Sequence, residues 1–533
     1  MFKHALILTA ACIAAFSHTA SARIIKGTGK NDTLKGTPHK DIFRGLGGND
    51  RIIGGEDILG IGGRDKAYGG KGNDTYEIFG DPGEFHIIEK PASGNDWWIP
   101  TGRVGGRQVG QNVYKPSPWF RKTASGDQRV ILRLPENVEN LSSRVWNGAP
   151  HENEPTIIHV YTELHGNDSN NILTSDDRDA SKDGWVKAAI SHDRIYGYAG
   201  DDTFRYGMGE DEYHGGDGWD TLDLRLAKVS ALIDAEPEFL VDLSAGRLVH
   251  GAIRGGKWAG FKSTLDGIEA VTLSRGVDHA RGSANGDYFF IDAGDRAGGD
   301  RIWAGAGNDT LVIRRDFAGH QHVFFYGETG FDTLDLSDFQ VPVTIDLGST
   351  ARQPFPTPEG ASAAGIELMA VEAIYSGPFA DTLAGNSALT EIFRPGAGND
   401  TIRGDNTPLA PYTNVDYIYF DTPLNAATNV DTILDVKTSP GGAQSLEDIL
   451  YLDHRIFKTL VTGTPSGAAY LAAARFKRIG GGGSAVDADD RILADQDTGF
   501  IYYDADGSGP ATPTLFAKVT PGITIAATNF ATY

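Results

Sequence analysis

Apolar residues recur along this chain at intervals of nine, each set in polar, glycine-rich sequence. Between Gly27 and Glu77, Asp32, Asp41 and Asp50 stand nine residues apart, and an apolar residue follows two positions after each. Alternate side chains of a strand point to opposite faces. A glycine turn followed by Asp-x-apolar therefore predicts a short strand, with the apolar residue inward and the turn on a rim, and the fixed period predicts stacked coils of such strands.

The same nine-residue phase returns in three later parts of the chain. The second block runs from His192 to Leu224, the third holds two pairs of spaced aspartates, and the fourth is degenerate because Glu391 replaces an aspartate. The later aspartates in this pattern are Asp65, Asp74, Asp193, Asp202, Asp211, Asp220, Asp278, Asp287, Asp300, Asp309 and Asp400. We expect each block to build further coils of one architecture.

The segments between the blocks are also β-rich. They contain many Val, Ile, Leu and Phe residues without sustained helical periodicity, which favours further solenoid strands over separate globular domains. One possible helix is the alanine-rich stretch from Gly467 to Lys477, which would place Tyr470, Ala473 and Ala474 on one face. We expect this helix to be a minor element.

The predicted rim offers hard oxygen ligands. Backbone carbonyls and aspartate carboxylates would face one another there between stacked turns, and Ca²⁺ prefers oxygen ligands of this number and type. Glycine suits the turns because the rim backbone must adopt positive φ and approach the ion closely. We expect weaker metal binding at Glu391, where the aspartate is missing.

The composition is acidic and dense in turn residues, with 71 acidic against 48 basic residues, 69 glycines and 24 prolines. It argues against a helical or nucleic-acid-binding protein and makes divalent cations the natural counter-charge. Met1 to Ala22 has the layout of a cleavable export signal, because Lys3 precedes an apolar run and a small-residue end. That run is shorter than the roughly 20 residues of a membrane-spanning helix, so we expect no transmembrane segment in the mature chain. Cys12 is the only cysteine, which excludes disulfides and a cysteine nucleophile from the mature chain.

The nonapeptides resemble the GGxGxDxUx repeats of the RTX, or haemolysin-type calcium-binding, family. The residues from Gly72 to Leu173 look like a spacer cassette of that family, and Ala485 to Val519 resembles the end module of proteins exported by type I secretion. The resemblance implies that several Ca²⁺ ions are bound by carbonyls of the Gly and Asn turns and by the carboxylates of Asp32, Asp41, Asp50, Asp65, Asp74, Asp193, Asp202, Asp211, Asp220, Asp278, Asp287, Asp300, Asp309 and Asp400. It also implies a secreted bacterial protein, exported through the N-terminal signal or by type I secretion.

The expected fold is all-β, a parallel β-roll or β-solenoid of nonapeptide repeats with β-rich spacers and a small C-terminal β module. The expected division is a signal peptide (1–22), an N-terminal RTX roll (23–96), a spacer with two insertions (97–191), a second RTX block (192–226), a spacer with the third block (227–316), a spacer with the degenerate fourth block (317–405) and a C-terminal RTX-type module (406–533).

We expect a non-enzymatic calcium-binding protein that folds when it meets Ca²⁺ and serves a structural or adhesive role at the cell surface or in the extracellular matrix. Hydrolase motifs are missing: His151-Glu152 is followed by Asn153, Glu154 and Pro155 where a zinc-protease helix needs histidine, and Ser484 lacks the closing glycine of a serine nucleophile elbow. No catalytic residue or organic cofactor site is therefore predicted.

The alternative is a secreted polysaccharide-active enzyme, a lyase, epimerase or hydrolase, carried on the calcium-bound solenoid. The insertion from Trp97 to Gln128 mixes aromatic and basic side chains, which suits binding of polysaccharide or cell-surface components, or simply covers an edge of the roll. Two smaller features have their own alternatives. His320 and His322 form either a transition-metal pair or a surface feature, and the loop from Asp504 to Gly509 forms either a calcium-stabilised turn or a plain β-turn.

Overall fold

The computed structural model describes two compact units, an N-terminal unit within residues 1–154 and a C-terminal unit within 155–533. The described residues are 23–36, 41–54, 65–79, 85–90, 95–103, 107–108, 114–115, 120–122, 128–134, 140–142, 144–146, 161–174, 192–207, 209–225, 238–254, 257–291, 299–314, 322–355, 365–386, 389–404, 414–438, 448–460, 469–481, 485 and 487–533. The predicted signal peptide and the polar insertion at 175–191 lie outside these residues, as do the side chains of 99–128.

Short strands make up the N-terminal unit. They are β1 (Arg23–Lys26), β2 (Thr33–Lys35), β3 (Asp41–Gly47), β4 (Arg51–Ile53), β5 (Asp65–Lys71), β6 (Thr75–Phe79), β7 (Phe85–Ile87), β8 (Trp97–Arg103), β9 (Arg107–Gln108), β10 (Tyr114–Lys115), β11 (Phe120–Lys122), β12 (Gln128–Arg133), β13 (Asn140–Ser142) and β14 (Arg144–Trp146). Strands β1, β3, β5 and β7 form one parallel sheet. Strands β2, β4, β6 and β8 pair in parallel as a second, which β13 and β14 extend.

The C-terminal unit repeats this arrangement over a longer stretch. Its first strands are β15 (Tyr161–His165), β16 (Ile172–Thr174), β17 (Arg194–Ala199), β18 (Thr203–Arg205), β19 (Glu212–Asp217), β20 (Thr221–Asp223), β21 (Phe239–Asp242), β22 (Arg247–Arg254), β23 (Lys257–Asp266), β24 (Ala270–Thr272), β25 (Asp278–Arg281), β26 (Tyr288–Ile291), β27 (Arg301–Trp303), β28 (Thr310–Ile313), β29 (His322–Tyr326), β30 (Thr333–Asp335), β31 (Thr344–Asp346), β32 (Gln353–Pro354), β33 (Gly365–Met369) and β34 (Ala373–Tyr375). The remaining strands are β35 (Thr382–Ala384), β36 (Ile392–Arg394), β37 (Thr401–Arg403), β38 (Tyr417–Phe420), β39 (Asp431–Ile433), β40 (Ile449–Leu452), β41 (Ala469–Tyr470), β42 (Phe476–Ile479), β43 (Ile492–Asp495), β44 (Phe500–Tyr503), β45 (Thr514–Val519) and β46 (Phe530–Thr532).

One coil of the roll consists of two nonapeptides. Ile195 of β17 lies beside Tyr213 of β19, and Phe204 of β18 lies beside Leu222 of β20, so residues 18 apart are neighbours in parallel sheets. Successive strands of the chain thus alternate between two sheets. The parallel β-roll predicted from the repeat is confirmed.

The inward positions of the repeat form the core. Ile195, Phe204, Tyr213 and Leu222 are all fully buried, and the rings of Phe204 and Tyr213 meet edge to face with centroids 6.1 Å apart. Burying an apolar side chain of this size contributes about 1.5–3 kcal/mol. Because these side chains come from the two different sheets, they hold the sheets together and leave the turns at the edges.

The spacer strands continue the roll but include an antiparallel insertion. Strand β22 pairs antiparallel with both β21 and β23, while β23 pairs in parallel with β19 and β21 with β25. The parallel order resumes with β27 and β29. A long hairpin therefore lies within the sheet without ending the solenoid.

The helix predicted from Gly467 to Lys477 is wrong. The described part of this stretch holds strand β41, a three-residue 3₁₀ turn at Ala473–Arg475 and strand β42. Tyr470 pairs with Ala531 of β46, and Lys477 pairs with Leu493 of β43. Pairing with neighbouring strands satisfies the backbone here and overrides the helix propensity of alanine. No helix among the described residues is long and apolar enough to span a membrane.

Candidate metal centre

In each unit, a row of carboxylates joins successive coils at one edge. The backbone N–H of Asp202 donates to Oδ1 of Asp220 at 2.8 Å, and that of Asp50 donates to Oδ1 of Asp74 at the same distance. We call this row the carboxylate ladder and its acidic residues rungs. It runs through Asp32, Asp50, Asp74 and Asp96 in the N-terminal unit, and through Asn171, Asp202, Asp220 and Glu269, then Asp287, Asp309, Asp332 and Glu372, then Glu391, Asp416 and Asp448 in the C-terminal unit.

In six rungs, one carboxylate oxygen takes no part in the bonds of the ladder. Each is at most 2 % exposed, and its Oδ2 meets no hydrogen-bond donor among the described residues; they are Asp50, Asp74, Asp202, Asp220, Asp309 and Asp332. A buried polar atom without a partner costs free energy, and a buried negative charge costs more. A cation between the coils would remove this cost. We refer to these six residues as the open rungs.

Glycine turns shape the space in front of the open rungs. Before Asp202, Tyr198 and Gly200 have φ of 83° and 101°, in the left-handed region that glycine tolerates best. A Cβ atom on Gly197 would collide with Oδ2 of Asp202 and with the carbonyl oxygen of Gly215 in the next coil. The carboxylate and a carbonyl of the following turn therefore converge on a volume that stays open only because residue 197 is glycine.

Burial makes ionisation of the open rungs unfavourable. It raises the pKa of Asp202 to about 7 and that of Asp309 to about 7, since water no longer solvates the charge. The pKa of Asp74 rises to about 6 for the same reason, and the nearby acidic groups Asp50 and Glu89 add to the rise. A divalent cation would reverse these shifts because it favours the charged form.

Other rungs of the ladder are satisfied by the protein itself. In the rungs Asp32 and Asp287, Oδ2 accepts the backbone N–H of the residue four positions earlier, at 2.5 to 2.6 Å, and Asp278 at the opposite edge of the coils does the same. That residue is Thr28, Ser274 or Ser283, and its hydroxyl donates to the same carboxylate. A Ser or Thr at this position thus caps the carboxylate, whereas the open rungs have another residue there.

Aspartates at the opposite edge of the coils are also joined in pairs. The N–H of Asp193 donates to Oδ1 of Asp211 at 2.9 Å, and the N–H of Asp278 donates to Oδ1 of Asp300 at 2.9 Å. Oδ2 of Asp211 accepts the hydroxyl of Tyr213 at 3.2 Å. The second oxygen of Asp211 is therefore engaged by the core.

Three predicted ligands remain to be placed. Asp41 is buried at the start of β3, and Asp65 starts β5, although its side chain lies outside the described set. Asp400 donates its N–H to Oδ1 of Asp431 at 3.1 Å. Burial and repulsion by Asp431 raise the pKa of Asp400 to about 9. Asp400 and Asp431 thus form a second place where a cation would relieve repulsion.

The oxygen ligands available at an open rung come from both the side chain and the backbone. Among the described residues, no group of three His, Cys, Asp or Glu side chains could hold a metal ion. Any ion at an open rung would therefore take backbone carbonyl oxygens besides the carboxylate, and Ca²⁺ accepts such a shell of six to eight oxygens. The residues present fit calcium better than a metal that needs nitrogen or sulfur ligands.

Sequence reasoning missed several acidic members of these rows. Asp332, Asp416, Asp431 and Asp448 each precede an x-apolar pair like the predicted aspartates, but insertions displace them from the nine-residue phase. Asp332 even follows a glycine turn, with Gly330 two positions earlier. A search for Asp-x-apolar after glycine, without a fixed period, would have found Asp332.

Comparison with known protein families agrees with this geometry. The model of the RTX calcium-binding nonapeptide repeat matches four segments, 26–58, 54–77, 185–213 and 295–312. The chain carries RTX calcium-binding repeats. Proteins with RTX repeats are typically secreted. None of the curated proteins compared with the chain matches it. The recognised repeats confirm the predicted family and calcium as the type of ion, while the assignment of individual ligands and the resemblance of the C-terminal module to type I secreted proteins stay predictions.

The smaller sequence features are only partly described. Trp98 is 6 % exposed and belongs to the core, while most side chains of the 97–128 insertion lie outside the described set. His322 has Nε2 3.0 Å from Glu367, and its possible partner His320 is not among the described residues. Oδ1 of Asp504 accepts the N–H groups of Asp506 and Gly507, which is the hydrogen bonding of a turn. The two alternatives for each feature stay open.

Proposed function

We propose that the open rungs bind several Ca²⁺ ions between successive coils and that the chain reaches its fold only when these ions are present. The observation that carries this proposal is the set of six buried carboxylates whose Oδ2 atoms meet no donor among the described residues; at five of them, all but Asp309, a glycine lies against that oxygen. An ion there would neutralise charge that the calcium-free roll has to bury. Its binding free energy would then become folding free energy.

The ligands at each ion would be one rung carboxylate and carbonyl oxygens of the flanking turns. At Asp202 these include the carbonyl oxygen of Gly215, which lies against the same Gly197 cradle. The Oδ1 atom of each open rung already accepts an N–H of the preceding coil. This hydrogen bond fixes the carboxylate, so little side-chain freedom would be lost on binding.

The chain then acts as a secreted, calcium-dependent structural or adhesive protein at the cell surface or in the extracellular matrix. Extracellular Ca²⁺ switches the acidic chain from disordered to folded after export, with an excess of 23 negative charges as the barrier to earlier folding. The repeats support calcium binding and secretion; the adhesive role rests on the extended β surface alone.

Circular dichroism tests the proposal directly. The mature chain is titrated with Ca²⁺ and then with a chelator, and we expect a β spectrum that grows with Ca²⁺ and is largely lost with the chelator. Mg²⁺ is the control, because it demands a tighter octahedral shell and keeps its water. A full β spectrum in chelator at neutral pH would refute calcium-dependent folding.

A further inference from the structure

The last rungs of the ladder differ from the open ones. Asp416 and Asp448 are joined like the others, with the N–H of Asp416 donating to Oδ1 of Asp448 at 3.0 Å. Both side chains are buried, at 1 % and 4 % exposure. Two buried carboxylates in adjacent coils repel each other, and burial with this repulsion raises the pKa of Asp448 to about 7.

A lysine side chain reaches into the space between these two rungs. Nζ of Lys437 lies 3.5 Å from Oδ2 of Asp416 and 3.9 Å from Oδ1 of Asp448, and the side chain of Lys437 is 3 % exposed. The same ammonium donates to Oδ1 of Asn414 at 2.9 Å and to its backbone carbonyl at 3.3 Å. Its neighbours are therefore carboxylates, an amide oxygen and a carbonyl, which are the oxygens that the open rungs offer to Ca²⁺.

The two kinds of rung differ in the group that faces the Oδ2 atom. At Asp202 this oxygen has no donor among the described residues. At Asp416 the corresponding oxygen faces the ammonium of Lys437, although a Cβ on Gly404 would collide with it, as a Cβ on Gly197 would collide with Oδ2 of Asp202. The glycine cradle is thus retained at Asp416, and a cation belonging to the chain lies beside it.

The backbone of Lys437 is held in place from both sides. Its N–H donates to Oδ2 of Asp448 at 2.7 Å, and its carbonyl oxygen accepts Nδ2 of Asn529 at 3.1 Å. The other hydrogen of that amide reaches the carbonyl of Asp448 at 3.1 Å. The backbone from which the Lys437 side chain extends is therefore fixed by the fold, and this positions the ammonium.

We propose that Lys437 takes the place of a calcium ion at the Asp416–Asp448 step, so that this end of the roll holds its coils together without Ca²⁺. The inference rests on the proposed function, because it assumes that the open rungs do need the ion. A buried ammonium flanked by two carboxylates and amide oxygens compensates charge that would otherwise be unpaired. A divalent ion would have to displace the ammonium before it could bind at this step.

Hydrogen exchange of the full chain tests this without any variant. In chelator we expect strands β18 and β20, which follow the open rungs Asp202 and Asp220, to lose their protection, and strands β38 and β40 to keep it. The strand pairs serve as each other's control within one sample. Loss of protection in β38 and β40 together with β18 and β20 would overturn the role of Lys437 but not the calcium proposal. Protection of all four strands in chelator would overturn the calcium proposal itself.

The substitution Lys437→Met gives the converse test, because methionine fills similar space without charge. In chelator we expect protection of β38 and β40 to fall by about 100-fold or more, as when one partner of a buried ion pair is removed. Native mass spectrometry should then show one Ca²⁺ more per chain than in the wild type, with protection restored at high calcium. Lys477→Met, at a half-buried strand lysine, is the matched control. Equal ion counts and equal protection in Lys437→Met and the wild type would overturn the inference.

Discussion

Replacing one open-rung aspartate by asparagine should make the roll more stable without calcium and less responsive to it. In Asp202→Asn the Oδ1 acceptor for the N–H of Asn171 is kept, while Oδ2 becomes an NH₂ group beside the carbonyl oxygen of Gly215. The amide carries no charge, and we expect it to donate to that carbonyl. The site then no longer needs a cation and no longer attracts one.

The magnitude follows from the pKa of Asp202, which burial raises from 3.8 to about 7. Three pH units correspond to about 4 kcal/mol at about 1.4 kcal/mol per unit, which is the order of the cost of burying the ionised carboxylate above pH 7. We expect Asp202→Asn to raise the free energy of unfolding by up to this amount in chelator at pH 8. The stabilisation produced by Ca²⁺ at about 100 times its Kd should fall by about 3 kcal/mol, the value of one lost ion.

The assay is urea unfolding followed by circular dichroism, in chelator and in saturating Ca²⁺, with an osmolyte added equally to all samples where the calcium-free chain is mostly unfolded. The matched control is Asp201→Asn, because Asp201 is the exposed neighbour and carries the same charge. Asp201→Asn should change the free energy of unfolding in chelator and its increase with Ca²⁺ by less than about 0.5 kcal/mol each. Equal behaviour of the two variants, or a loss of stability of Asp202→Asn in chelator, would refute the reasoning.

Two more predictions concern pH and the glycine cradle. Because the folded-state pKa values of Asp202 and Asp309 are raised to about 7 and that of Asp400 to about 9, the calcium-free roll binds protons more tightly than the unfolded chain, so its stability should fall as pH rises from about 4 to 9. Thermal melts in chelator at pH 5 and pH 8 measure this, and a higher melting temperature at pH 8 would contradict it. Gly197→Ala should weaken Ca²⁺ binding in calorimetric titrations because its Cβ would collide with a carboxylate oxygen of Asp202 and the carbonyl of Gly215. Gly29→Ala, where a Cβ would have no atom within 4 Å, should leave the titration unchanged, and equal effects of the two substitutions would count against the cradle.

The coil architecture could be predicted from the sequence because one physical rule repeats. Asp202-Thr203-Phe204 places a carboxylate at the edge and a ring in the core, and the structure keeps that relation wherever the nine-residue phase holds. The alanine-rich stretch at 467–477 failed because its conformation is decided by pairing with β43 and β46, which lie far along the chain. Local propensity carries no information about such partners.

The differences among the acidic residues were harder to predict. Asp202 and Asp287 occupy equivalent repeat positions, yet Ser283 caps Asp287 and leaves it without the open oxygen that Asp202 has. The residue four positions before the aspartate distinguishes the two, but its effect depends on a hydrogen bond that the sequence alone does not show. The place of Lys437 was equally hidden, because it stands eleven residues before the rung Asp448 that it accompanies in space and belongs to no Asp-x-apolar unit.

The most direct measurement is an anomalous difference map from crystals of the mature chain grown with Ca²⁺. The account predicts peaks at the open rungs, with the ion at Asp202 about 2.3–2.6 Å from its Oδ2 and from the carbonyl oxygen of Gly215. Peaks only at exposed carboxylates such as Asp201, with water or nothing at the cradle of Gly197, would contradict it.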